Sequence, residues 1–163
     1  MGCLVTVFNY ISYHLLEAPF QLSQSWIGLI SIAYLAGIYS SSKAAQWSFK
    51  YGRAKVLPLM LLMMMAGLLI TLIPALWAIL LGLIIFAFAF FAAHSTASSW
   101  VSVQAIQYRA VAASLYLFCY YIGSSLLGSS GGLIWENFGW AGINLSVVLV
   151  LVVGLFLTFY LHD

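Results

Sequence analysis

"KAAQWSFKYGRAK", residues 43–55, holds Lys43, Lys50, Arg53 and Lys55, four of the five Lys and Arg residues in a chain of 163. Cations on a water-soluble domain spread over its surface, so their absence elsewhere needs a cause. Composition supplies one: 65% of the residues are apolar and 5% are charged, against roughly a quarter charged in an ordinary soluble domain. Mean hydropathy is +1.11. Such a chain cannot keep a solvated surface. The alternative solvent is lipid, where a helix needs about 20 apolar residues to cross and every backbone polar group must be satisfied internally. The stretch is therefore a polar loop of an integral membrane protein.

Breakers divide the remainder into six apolar runs. The first goes from Cys3 to Leu16 and ends at "EAPFQLSQS". The second, from Trp26 to Trp47, leads into the cationic loop, and the third, from Val56 to Ile73, closes at Pro74. A fourth continues from Leu76 to Ala93 and fades into "HSTASSW". The fifth follows Arg109 and reaches Trp135, "ENFGW" interrupts, and the sixth runs from Ala141 to Leu161. Lys and Arg are retained on the cytoplasmic side during insertion. The loop after the second run and the Arg109 loop after the fourth lie on one side in an alternating topology. Both termini are then expected inside, with Glu17 and Glu136 on the opposite face.

Laying residues 34–53 over 121–140, an offset of 87, sets "YLAGIYSSSKAAQWSFKYGR" against "YIGSSLLGSSGGLIWENFGW". Tyr34 falls on Tyr121, Gly37 on Ser124, Ser41 on Gly128, Ala45 on Gly132 and Gly52 on Gly139. Small residues meet small residues, and both helices close on an aromatic residue and Gly. Copies three spans apart point in opposite directions across the bilayer, so the pattern predicts an inverted repeat, the first copy about 1–73 and the second about 74–163. The expected fold is all-α: one domain, residues 1–163, of six transmembrane helices in two inverted three-helix repeats.

Polar residues recur with the same period. The first run carries Asn9, Tyr10, Tyr13 and His14, the second Tyr34, the fourth ends in His94, and the fifth carries Tyr116 and Tyr120. The third and sixth are apolar nearly all round. Helices one, two, four and five are thus expected to line a common interior, with those eight residues along a solute path and three and six outside. Ala33, Gly37, Ser41 and Ala45 recur at every fourth residue of the second run, as do Ser124, Gly128 and Gly132 of the fifth. That spacing lets helix backbones approach closely.

Other chemistry finds little support. Cys3 and Cys119 form no pairing pattern, and the scattered His residues lack metal spacing, so no metal and no cofactor is expected. No phosphate loop or nucleic-acid patch is present. An intramembrane enzyme needs a nucleophile and a base on facing helices. Here the His residues lie near span ends and the carboxylates in loops, which reads as a non-enzyme.

The loop of residues 45–55 resembles the degraded copy of a Gly-x-x-x-Asp-Arg-x-Gly-Arg-Arg motif, found after the eighth helix in the major facilitator superfamily. Gly52 and Arg53 match, Lys50 stands for the first Arg, and Ala45 and Phe49 replace the Gly and Asp. Residues 18–41, 90–101 and 114–135 look like their counterparts around helices seven to eleven of an efflux branch. The chain thus resembles the C-terminal six-helix half, helices seven to twelve, of a bacterial efflux transporter. The resemblance implies transport of a small organic solute, sugar or drug-like, across the inner membrane, coupled to protons and driven by rocking of helix bundles. It also implies a partner, either an N-terminal half or a second copy, since no acid lies within a span. The short first span starting at Met1 points to a fragment. A six-helix module without transport, a remnant or an assembly partner, is the competing reading.

Overall fold

A computed structural model describes residues 1–160, with Leu29 given by its backbone alone. Helix α1 spans Gly2–Leu16. A short α2, Gln24–Leu29, passes through one 3-10 turn, Ile30–Ile32, into α3, Ala33–Tyr51, so the second apolar run is one nearly continuous rod. Helix α4 covers Arg53–Ile70, α5 covers Leu76–Gln104, and α6 covers Arg109–Thr158. Three of these, α4, α5 and α6, are long and apolar enough to cross a membrane; α1 is apolar but shorter. The expected end of the sixth run at Leu161 lies outside the described residues.

Helix α6 has 50 residues, about 75 Å at a rise of about 1.5 Å per residue, or more than twice a hydrocarbon core of about 30 Å. It does not run straight. Gly139 has φ 57° and ψ −148°, outside the helical region, and divides α6 into limbs of residues 109–138 and 140–158. Gly52, with φ 84°, makes the same kind of break between α3 and α4. A side chain at either position would be forced into backbone space that L-residues rarely occupy. The polar stretch "ENF" does not end the helix, as its composition suggested; Glu136 and Phe138 are helical and Gly139 alone supplies the break.

The fourth run also continues further than expected. "HSTASSW" stays helical and the helix continues to Gln104: Ser99 Oγ donates to Thr96 O at 2.9 Å and, just beyond the stretch, Ser102 Oγ donates to Ser98 O at 3.1 Å, while the Thr96 hydroxyl meets that of Ser48 on α3. Such back-bonding satisfies a polar side chain without help from water.

Helix directions follow from the contacts. Ser40 and Ser48 of α3 reach Phe88 O and Thr96 of α5, so these two helices run parallel. Gly2 of α1 faces Gly123 and Leu127, Val5 faces Gly128, and Tyr10 faces Gly131, so α1 runs parallel to the first limb of α6. Helices α4 and α5 form an antiparallel hairpin closed by the turn around Pro74. The second limb of α6 runs antiparallel to α4, with Asn144 beside Thr71 and Gly154 beside Leu61.

Helix α5 buries more residues than any other helix, Ile79, Leu83, Phe86, Ala89 and Phe90 among them. The third and sixth segments, expected outside the common interior, each pack one side against the other helices. Helix α4 buries Val56, Leu57, Met60, Met64 and Leu68. Thr71, just beyond its end, joins a polar knot: its hydroxyl lies 2.6 Å from Leu68 O and 3.3 Å from Asn144 Oδ1, and Trp140 Nε1 donates to its carbonyl at 3.2 Å. Isolated polar residues in apolar helices find one another, because the alternative is an unpaired group in hydrocarbon.

The small-residue stripe on α3 also departs from a strict four-residue ladder. Its buried face is Ala33, Gly37, Ser40, Ala44 and Ser48. Ser41 is only half-buried and bonds Ile38 O, and Ala45 is exposed. With about 3.6 residues per turn, a four-residue ladder drifts round the helix, and after two steps the contact face has moved one residue back.

Candidate functional site

Two clusters of candidate side chains emerge, at opposite ends of α1. At its C-terminal end, Asn9, Tyr10, Ser12 and Tyr13 line a cleft of about 650 Å³ together with Gln24, Trp135 and Glu136. The Tyr10 hydroxyl donates to Gly128 O at 3.2 Å, which fixes the ring against the first limb of α6. Gly131 makes this possible, because a Cβ there would collide with the Tyr10 ring. Of the expected solute-path residues, Asn9, Tyr10 and Tyr13 come together here.

His14 does not join them. Its ring stacks on Trp140 at 5.5 Å and 11° and meets the edge of Phe20, so it ties the end of α1 to the start of the second limb. Tyr34 is also taken up in packing, stacked on Phe8 at 4.6 Å with its edge to Phe91. Consecutive residues on a helix point about 100° apart, which is why Tyr13 and His14 part.

The second cluster lies at the end nearer the cationic loop. His94 Nδ1 is 2.8 Å from the Tyr116 hydroxyl, and that hydroxyl is 3.4 Å from His94 O. Both contacts are satisfied at once when Nδ1 carries the proton and donates to the phenol oxygen, while the phenol donates to the carbonyl. Tyr120 lies 4.6 Å from the His94 ring and 6.2 Å from Tyr116. His94, Tyr116 and Tyr120 share a cavity of about 240 Å³ with Cys3, Phe90 and Met64. These three of the eight expected solute-path residues meet one another, joining α5 to the first limb of α6.

The packing candidates sort differently. A Cβ on Gly37 would enter the Phe91 ring, so this glycine is required by a close approach. Gly128 and Gly132 are looser, with a Cβ 3.6 Å from Val5 and from the Tyr10 hydroxyl respectively. Ser124 is half-buried. Residues 43–55, expected as a polar loop, are helical except at Gly52, because the positive-φ glycine makes the whole turn between α3 and α4. Lys50, at the end of α3, is exposed with its ammonium 5.1 Å from the Tyr51 ring, and Arg53, at the start of α4, is partly buried with its Nε unpaired. No carboxylate stands at Phe49 to receive them.

Sequence reasoning missed Trp135 and Glu136 as cleft residues, having placed them at the end of the fifth run and in the interruption after it. It also missed Gly67 and Gly82, which face each other across the α4–α5 hairpin with a Cβ on Gly82 only 2.5 Å from Gly67 O. A glycine at a matching depth on each side of a tight turn was the available signal.

The whole chain is similar to parts of longer proteins. It is 46% identical over 162 residues to an inner membrane transport protein, YnfM, of Escherichia coli, covering 99% of this chain and 39% of that protein. It is 42% identical over 161 residues to an uncharacterized MFS-type transporter, YybF, of Bacillus subtilis, covering 99% and 40%. It is 50% identical over 163 residues to an uncharacterized transporter of Buchnera aphidicola from Acyrthosiphon pisum, covering 100% and 40%. The chain thus spans about two-fifths of the length of the curated relatives it matches. No family model matches the chain, and no solved structure matches it.

Proposed function

We propose that this chain acts as the C-terminal six-helix half of a proton-coupled bacterial transporter of the major facilitator type. In this reading it moves a small organic solute, sugar or drug-like, across the inner membrane. The observation that carries transport is similarity along the whole chain to proteins named as transporters, each about 2.5 times as long. The additional length of those relatives is room for a second bundle, and in this reading the rocking of one bundle against the other gives alternating access.

The inverted-repeat architecture draws support from the backbone. Gly52 and Gly139, the positive-φ glycines among the described residues, sit 87 residues apart, the offset read between the two copies. Carrying Gly2 forward and Gly123 back by the same offset gives positions 89 and 36, beside the observed Phe88–Ser40 and Phe91–Gly37 contacts. The alternating helix directions support the reading of six crossings, and in that reading residues 43–55 and both termini face the cytoplasm, since Lys and Arg are retained inside during insertion.

The test is flux. The longer protein containing this chain, reconstituted in proteoliposomes under a pH gradient, is expected to accumulate at least one of a panel of pentoses and drug-like dyes, and to lose that flux when the gradient is collapsed. No gradient-dependent flux across the panel favours the non-transporting module instead.

A further inference from the structure

The Glu136 cleft has a composition that packing alone does not account for. The Tyr10, Tyr13 and Trp135 rings stand at the corners of a nearly equilateral triangle, with centroids 6.0 Å apart for Tyr10–Tyr13 and 6.1 Å for each tyrosine to Trp135. They are tilted 27–41° to one another, and all three line the cleft. Tyr13 is 55% exposed, so the trio is no buried core. Glu136 lines the same cleft and has no ion-pair partner among the described residues. The cationic loop is at the opposite end of α3. Aromatic faces carry negative potential, and a carboxylate adds a full negative charge, so the cleft presents one sign of field, with no Lys or Arg among the residues that line it.

From this geometry we infer that the cleft binds an organic cation, an alkylated ammonium whose apolar shell fits against the three rings while its charge faces Glu136. Aromatic faces attract such a group when it sits within about 6 Å of the ring centroid, most strongly for Trp. Tyr10 is held ready by its bond to Gly128 O. Asn9 and Gln24, which line the same cleft, offer hydrogen bonds to a hydroxyl on the ligand. The inference rests on the transport reading only in taking this cation as cargo; binding itself does not depend on flux.

Calorimetric titration of the purified longer protein with choline and with 3,3-dimethylbutan-1-ol, its neutral isostere, separates charge from shape. Saturable choline binding is expected, with the alcohol roughly tenfold weaker. Tyr13→Leu and Glu136→Gln alter exposed side chains and leave the core intact; each is expected to weaken choline by roughly three- to tenfold. Absence of choline binding, equal binding of the alcohol, or choline affinity unchanged in both variants overturns the inference. So does arabinose binding that Tyr13→Leu abolishes while choline fails to compete, since that makes the cleft a sugar platform. Choline binding without choline flux keeps the site and removes its role as cargo, whereas flux of another solute without choline binding keeps the transporter and removes this site.

Discussion

Gly82→Leu is expected to separate the α4–α5 hairpin and destabilise the protein by at least about 3 kcal/mol, the upper end for overpacking. A Cβ on Gly82 would lie 2.5 Å from Gly67 O, 2.7 Å from Thr71 Cγ2 and 3.1 Å from Thr71 N. The nearest of these is roughly 1 Å inside ordinary contact distance. Two of the three obstacles are backbone atoms, so no rotamer change relieves the clash and one helix must move off the other. Moving it would also pull Thr71 away from Asn144 and Trp140, opening the knot that joins α4 to the second limb of α6. Gly123→Ala is the control: a Cβ there meets nothing within 4 Å, so the gain in helix propensity, up to about 1 kcal/mol, is unopposed. Thermal unfolding in detergent should show a large loss for the first and no loss for the second. Equal stability of Gly82→Leu and the unmodified protein would mean that these two helices are not in this contact.

The second large effect is on flux. Gly37→Leu is expected to abolish transport while leaving membrane insertion intact. A Cβ at this position enters the Phe91 ring. That ring is held edge-on by Tyr34 at 5.9 Å and by Phe90 at 5.4 Å, so it has little freedom to swing aside. Helices α3 and α5 would be wedged apart along the face where Ser40 bonds Phe88 O at 2.7 Å. Gly128→Ala, by contrast, places its Cβ at 3.6 Å from Val5, an ordinary contact, and is expected to keep at least about half of the flux, in line with a change of less than ~0.4 kcal/mol in the working equilibrium. The two glycines look alike in sequence, and only their neighbours separate them. Flux per inserted molecule, normalised to membrane-extracted protein, is the readout. Normal flux in Gly37→Leu would contradict the tight α3–α5 approach.

How much was legible beforehand depended on what marked a helix face. The breaks were readable, because Gly and Pro act locally: Gly52, Gly139 and Pro74 all interrupt the chain where the sequence placed an end. The polar residues themselves were readable, but that His94 meets Tyr116 and Tyr120 was not, because the sequence gives no register between α5 and α6. Helix α5 was harder. It is apolar all round, so its sequence marks no buried side, and nothing local announces that Phe91 fits Gly37 or that Gly82 backs onto Gly67. The same holds for Thr71 and Asn144, which look incidental until two distant segments bring them within 3.3 Å of each other. Trp135 and Glu136 were assigned by their place in the chain, near a break, when the decisive fact was the continuation of the helix past them.

The central claim is that α6 is two crossings joined at Gly139, making six in all, and cysteine accessibility tests it most directly. In a background with Cys3 and Cys119 replaced, single cysteines are placed at Lys50, Ile73, Gln107 and Asn137 and exposed in intact cells to a membrane-impermeant maleimide. The account predicts labelling at 73 and 137 from outside and protection at 50 and 107 until the membrane is permeabilised. Protection of 137 together with labelling of 73 would show that the chain does not emerge at the Gly139 break, and would contradict the six-crossing, inverted-repeat architecture.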